Sequence, residues 1–125
     1  MIPVSDLIGQ PYTKAHDCNW LASVVAARAG LGFPENLETP EDQAAWAQKF
    51  RDVLSKHYKE VKTPKEGTLA VFEIPYPDGK LHWHCGTVTK PGWMITTAEV
   101  SGVHLVRLSK AMWRVCIKGF YEFQK

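Results

Sequence analysis

No run of Lys or Arg occurs in the 125 residues, and no aromatics interleave with basic residues as they do on a face that binds single strands. The formal net charge of +2 is small and scattered, so neither nucleic acid nor a membrane surface is expected as the main partner. Nothing approaches the roughly 18 consecutive apolar residues of a spanning helix, which predicts no membrane insertion. The opening Met1-Ile2-Pro3-Val4-Ser5-Asp6 lacks a basic region followed by an apolar core, so no signal peptide is expected and synthesis is predicted to be cytoplasmic. Cysteine is scarce: Cys18, Cys85 and Cys116 are an odd count at unrelated spacings, which argues against a disulfide framework and for free thiols. Repeats and low-complexity tracts are missing too. What remains is ordinary globular chain, 45% apolar and 22% charged, with the length of one domain (1–125) around a single core.

The chain is organised around His16-Asp17-Cys18-Asn19-Trp20-Leu21. Asp17 is a natural N-cap, because its side chain can accept from the free N–H groups of a first helical turn. Leu21, Val24, Val25 and Ala29 recur on one helix face, and Gly30 suits the C-terminal cap. Cys18 is then the first helical residue, where free N–H groups and the positive dipole end favour thiolate over thiol. A second helix is signalled by Thr39 as N-cap, Pro40 at the first helical position and Glu41 and Asp42 in the first turn. Its apolar face carries Trp46, Phe50, Val53, Leu54 and Tyr58.

From Gly67 the texture turns strand-like. Residues 68–74 read as a strand, Asp78-Gly79 as the tip of a hairpin, and residues 83–89 as the returning strand. Pro91-Gly92 predicts a further turn. Strands follow at 94–98, 103–108 and 115–123, with a short helical turn at 109–112. Helices first and an antiparallel meander of about five strands afterwards define an α+β fold.

A cysteine taken alone is most often a small buried hydrophobe. The capped helix start is what singles out Cys18, and a nucleophilic cysteine needs a base that the fold brings close. Of five histidines, His82 and His84 share one face of the returning strand with Gly86, while Trp83, Cys85 and Thr87 share the other. Gly86 removes a side chain where something approaches closely. A zinc site from His82, His84 and Cys85, completed by Cys116 or His104, fits no common ligand spacing, and His84 and Cys85 point to opposite faces. No metal or cofactor is therefore expected.

In order along the chain, these pieces resemble the NlpC-like cysteine peptidases of the cell wall, a papain-like α+β family, and most narrowly its short phage tail-assembly members. Leu7-Ile8-Gly9-Gln10-Pro11-Tyr12 resembles the lead-in with a site-lining tyrosine, and Asp17-Cys18 with its apolar helix the nucleophile motif. Lys65-Glu66-Gly67-Thr68-Leu69-Ala70-Val71-Phe72 resembles the stretch opening the sheet, and His84-Cys85-Gly86-Thr87-Val88 the strand supplying the base. Ser101-Gly102-Val103 and Ile117-Lys118-Gly119-Phe120-Tyr121 resemble the tail-associated subset. The resemblance implies hydrolysis of an amide in peptidoglycan stem peptides through a thioester. Cys18 would be the nucleophile and His84 the base. Thr97 would stand where the family keeps its orienting polar residue, with Tyr12, Asp17 and Trp20 against the substrate. It also implies other phage tail proteins as partners and the virion tail as a destination. Asn19 and Trp20 depart from the small residue and glycine that the family usually has after its cysteine, and Lys14-Ala15 or Ala15-His16 from its preceding glycine pair. A structural tail component or binding module with the same fold is the alternative, and transfer to an amine or deamidation at the same dyad a third.

Overall fold

The computed structural model describes residues 2–34 and 43–124. The expected cap at Thr39 and its first turn lie outside the described residues. Helix α1 spans Cys18–Arg28, with the Asp17 carboxylate accepting from the Trp20 N–H at 3.0 Å. Its far end closes with Gly30 at φ +71°, where Gly30 N–H donates to Ala27 O and Leu31 N–H to Ala26 O. That crossed pair is a Schellman motif, which needs the left-handed conformation that glycine adopts without strain. Helix α2, Gln43–His57, buries Trp46, Phe50 and Leu54 at successive i+4 positions.

Six strands form one antiparallel sheet, one more than the sequence predicts: β1 (Tyr58–Val61), β2 (Leu69–Pro75), β3 (Leu81–Lys90), β4 (Trp93–Ala98), β5 (Gly102–Arg107) and β6 (Ile117–Phe123). The order is β1-β6-β2-β3-β4-β5, so the last strand inserts between the first two. The extra strand is β1. Tyr58-Lys59-Glu60-Val61 follows α2 without a turn residue and has little hydrophobic alternation of its own. It exists because β6 offers it an edge, with Tyr58 opposite Phe123 and Val61 opposite Phe120. Residues 109–116 also differ from expectation: a short helix α3, Ala111–Cys116, carries buried Trp113, so β6 begins at Ile117.

Strand parity separates two apolar layers. Leu69, Val71 and Cys85 face α2 together with Ala22 of α1, whereas Ala70, Phe72, Met94 and Val106 face Trp113 of α3. Because β2 is covered on both faces, its sequence reads as a continuous apolar run rather than an alternation. A third cluster joins Ile2, Val4 and Leu7 of the N-terminal segment to Leu21, Val25, Ile95 and Val103. That segment runs beside β5, with Gly9 N–H donating to Val103 O and Val103 N–H to Gln10 O, both at 2.9 Å. Tyr12 is carried to the end of the sheet in this way.

Candidate active site

The chemistry gathers where β3 and β4 part. Their pairing runs from Lys90↔Trp93 to Thr87↔Ile95. Beyond it lies a cavity of about 240 Å³ lined by Cys18, His84, Tyr12, Asp17, Thr97 and Glu99, with Trp46 and Trp83 on the α2 side and Tyr76 and His82 from the β2–β3 hairpin. Two larger clefts, about 500 and 520 Å³, lie along β1 and β6, and neither is lined by a cysteine or a histidine. Of these three, the smaller cavity is the one lined by a cysteine and by histidines.

Cys18 is the first residue of α1 and is half-buried. Side-chain hydrogen bonds from Cys85 and from His84, helped by the His84 charge, hold its thiol well below the usual range, against burial and the nearby Asp17 carboxylate. Cys85 moves the other way. Its hydrogen bond to Cys18 and its complete burial push its thiol well up, and its sulfur donates to the Cys18 carbonyl oxygen at 3.6 Å. The backbone N–H of Cys18 opens the positive end of α1.

His84 Nε2 lies 2.6 Å from Thr96 Oγ1, and that hydroxyl is 3.0 Å from the Cys85 carbonyl oxygen. A carbonyl can only accept, so the single hydroxyl proton of Thr96 is committed to Cys85 O. Oγ1 must then accept from His84 Nε2–H. The neutral imidazole is thereby assigned its proton on Nε2, leaving Nδ1 with the free lone pair. Trp113 stacks on the same ring at 5.9 Å and 26°, which limits its rotation.

The orienting hydroxyl is therefore that of Thr96, not Thr97 as expected from the sequence. The reason is parity. Directly opposed residues of antiparallel strands share a face, so the Thr87↔Ile95 register puts Thr97 on the Cys85 face and Thr96 on the His84 face. Thr97 is fully buried and lines the cavity, but its Oγ1 has no hydrogen-bond partner among the described residues. Gly86 has a related role. A Cβ there would meet Met94 Sδ at 2.7 Å and Ile95 O at 3.0 Å, so the approaching group that glycine admits is β4 itself.

Trp20 needs a second correction. It does not line the cavity: its ring stacks on His16 at 4.2 Å and packs against the Leu21–Val103 cluster. Two residues along a helix are about 200° apart, which turns Trp20 away from Cys18. Tyr12 does line the cavity, and its phenol is pushed up to about 12 by burial and by the charges of Cys18, Asp17 and Glu99. It remains a hydroxyl donor across the physiological range. Sequence reasoning missed Cys85, Thr96 and Glu99. The strand alternation carried a signal only for Cys85, as the residue facing away from His84.

Among the described residues, no three His, Cys, Asp or Glu side chains are grouped so as to hold a metal ion. His82 instead pairs with Asp78 at 2.7 Å and stacks on Tyr76 at 3.8 Å. No helix among them is long and apolar enough to cross a membrane.

Helices packed on a six-stranded antiparallel sheet, with a cysteine opening the first helix, make this an α+β fold. A solved structure from Staphylococcus aureus, described as similar to a lipoprotein of the NLP/P60 family, superposes with a TM-score of 0.59 at 17% identity over 96% of this chain. The chain spans 38% of that protein's length, and at this identity the likeness is one of fold. No family model matches the chain, and no curated protein does.

Proposed function

We propose that this protein is a cysteine hydrolase that cleaves an amide bond in peptidoglycan stem peptides. The observation that carries the reading is the meeting of an acidified Cys18 thiol and a hydroxyl-oriented His84 in one cavity of an NLP/P60-like fold. Cys18 Sγ attacks the carbonyl carbon of the scissile amide. The oxyanion that forms is met by the Cys18 backbone N–H and the Tyr12 hydroxyl, donors that need no rearrangement when the charge develops. His84, protonated on both nitrogens at that stage, gives its Nδ1 proton to the departing amine and leaves a thioester on Cys18. It then takes a proton from water at Nδ1, and the hydroxide equivalent releases the carboxylate. Thr96 acts through His84 by holding Nε2 and is a positioning residue.

The substrate assignment rests on fold likeness and on the motifs along the chain, and the tail-particle setting on Ser101-Gly102-Val103 and residues 117–121 alone. Purified cell-wall fragments should be incubated with the protein and the products resolved by mass spectrometry. The expected product pair carries one new amine and one new carboxyl, and Cys18→Ala and His84→Ala should each abolish it while the fold is retained. Folded wild-type protein that leaves stem peptides of differing composition intact would overturn the hydrolase reading in favour of a binding or structural role.

A further inference from the structure

The proposed chemistry uses Cys85 only as a hydrogen-bond donor, yet its position offers more. Its side chain is 1% exposed, its sulfur donates to the Cys18 carbonyl oxygen at 3.6 Å, and Cys18 packs against the same buried cluster that holds Cys85. Cys18 lines an open cavity that a hydroperoxide can enter; Cys85 does not. The third thiol cannot compete. Cys116 ends α3 and packs with Phe72, Met94 and Trp113, across the sheet from Cys18.

We propose that Cys18 and Cys85 form a reversible intrachain disulfide under hydroperoxide, a covalent modification that withdraws Cys18 from reaction. The Cys18 thiolate attacks the peroxide, the O–O bond breaks, and Cys18 becomes a sulfenic acid with release of an alcohol or water. Cys85 sulfur then attacks the Cys18 sulfur, the S–O bond breaks, and the oxygen leaves as water with the Cys85 proton. Two thiols and one hydroperoxide thus become a disulfide, one alcohol or water from the peroxide, and one further water. The placement suits this order, since the cavity-facing thiol meets the peroxide first and the buried one is kept from it but lies beside Cys18. The competing role for Cys85 is packing alone, as a small hydrophobe against Leu69 and Val71. Loss of turnover on oxidation rests on the hydrolase reading; the bond itself does not.

The test exposes the full chain to a small excess of hydrogen peroxide, followed by intact-mass and peptide mapping without reductant. The wild-type protein should become lighter by two hydrogens, with the peptides of Cys18 and Cys85 joined. Dithiothreitol should restore the mass and any cell-wall activity completely. Cys85→Ala should instead gain two oxygens on Cys18 and stay unrecovered by dithiothreitol. Wild-type protein that takes up oxygen on Cys18 as the variant does, or that joins Cys18 to Cys116, overturns the proposal. If Cys85→Ala fails to fold, the wild-type peptide map decides alone, and it does so whether or not the protein cleaves cell wall.

Discussion

Thr96→Val removes one hydroxyl at almost constant volume, and the two bonds it breaks differ in kind. The bond to the Cys85 carbonyl is buried on both sides, so its loss strands an acceptor that costs about 1–3 kcal/mol when left unpaired. The bond to His84 Nε2 adds roughly 1 kcal/mol, less whatever the new methyl recovers by packing. A net loss of about 2 kcal/mol follows, which for a chain of this length lowers Tm by roughly 8 °C. The catalytic consequence is separate. Without an acceptor for Nε2–H the imidazole is free to adopt the other tautomer, and kcat should fall about 10–10³-fold with KM little changed, within the span seen when a base loses its orienting group. Thr97→Val is the control, because it removes a buried hydroxyl with no partner among the described residues. Its stability should be unchanged or rise by about 1 kcal/mol. Differential scanning calorimetry of both variants, with initial rates on cell-wall fragments, checks the pair. If Thr97→Val destabilises as much as Thr96→Val, or Thr96→Val keeps wild-type kcat, the tautomer argument fails.

Three further perturbations probe the same site. Iodoacetamide should modify Cys18 at a rate that stays on its plateau as pH falls below about 8.5, where an ordinary thiol is half-protonated, since a depressed thiol pKa keeps the thiolate populated there. A half-maximal rate at or above that pH contradicts the acidified nucleophile. Asp17→Asn keeps the Oδ1 cap on Trp20 but removes a negative charge that raises the Cys18 pKa, so the alkylation plateau should extend to lower pH while stability shifts by only a few tenths of a kcal/mol. An unmoved or higher alkylation midpoint would show that the Asp17 charge does not reach the thiol. Gly102→Ala places a Cβ against Gln10 O and Pro11 at φ +66°, and should cost about 1–3 kcal/mol by loosening the segment that carries Tyr12. Chemical denaturation reads that loss directly, and a neutral result would mean the segment is not held there.

Local chemistry was written plainly in the chain. Asp17 caps α1 because a carboxylate immediately before the first helical residue has first-turn N–H groups in reach, whatever the rest of the molecule does. Gly30 closes the same helix, and Asp78-Gly79 and Pro91-Gly92 make turns with both glycines at positive φ. These are interactions between near neighbours. Strand alternation likewise put His84 and Cys85 on opposite faces before any partner strand was known.

Whatever depended on which strand lies opposite which could not be read. Thr96 and Thr97 are alike in sequence, and only the Thr87↔Ile95 register decides which hydroxyl reaches the imidazole. β1 became a strand because β6 returned beside it, and Trp20 turned from the cavity by the pitch of its helix and packed on the N-terminal segment. Cys85 shows the division most clearly. As one residue in 125 it is a buried thiol on the far face from His84. Only the docking of α1 onto β3 sets its sulfur beside Cys18, 67 positions earlier, where it acidifies that thiol and can bridge to it. Capping, turns and alternation are short-range consequences of residue type. Register and helix docking come from burying the whole apolar surface at once, which no single stretch can specify.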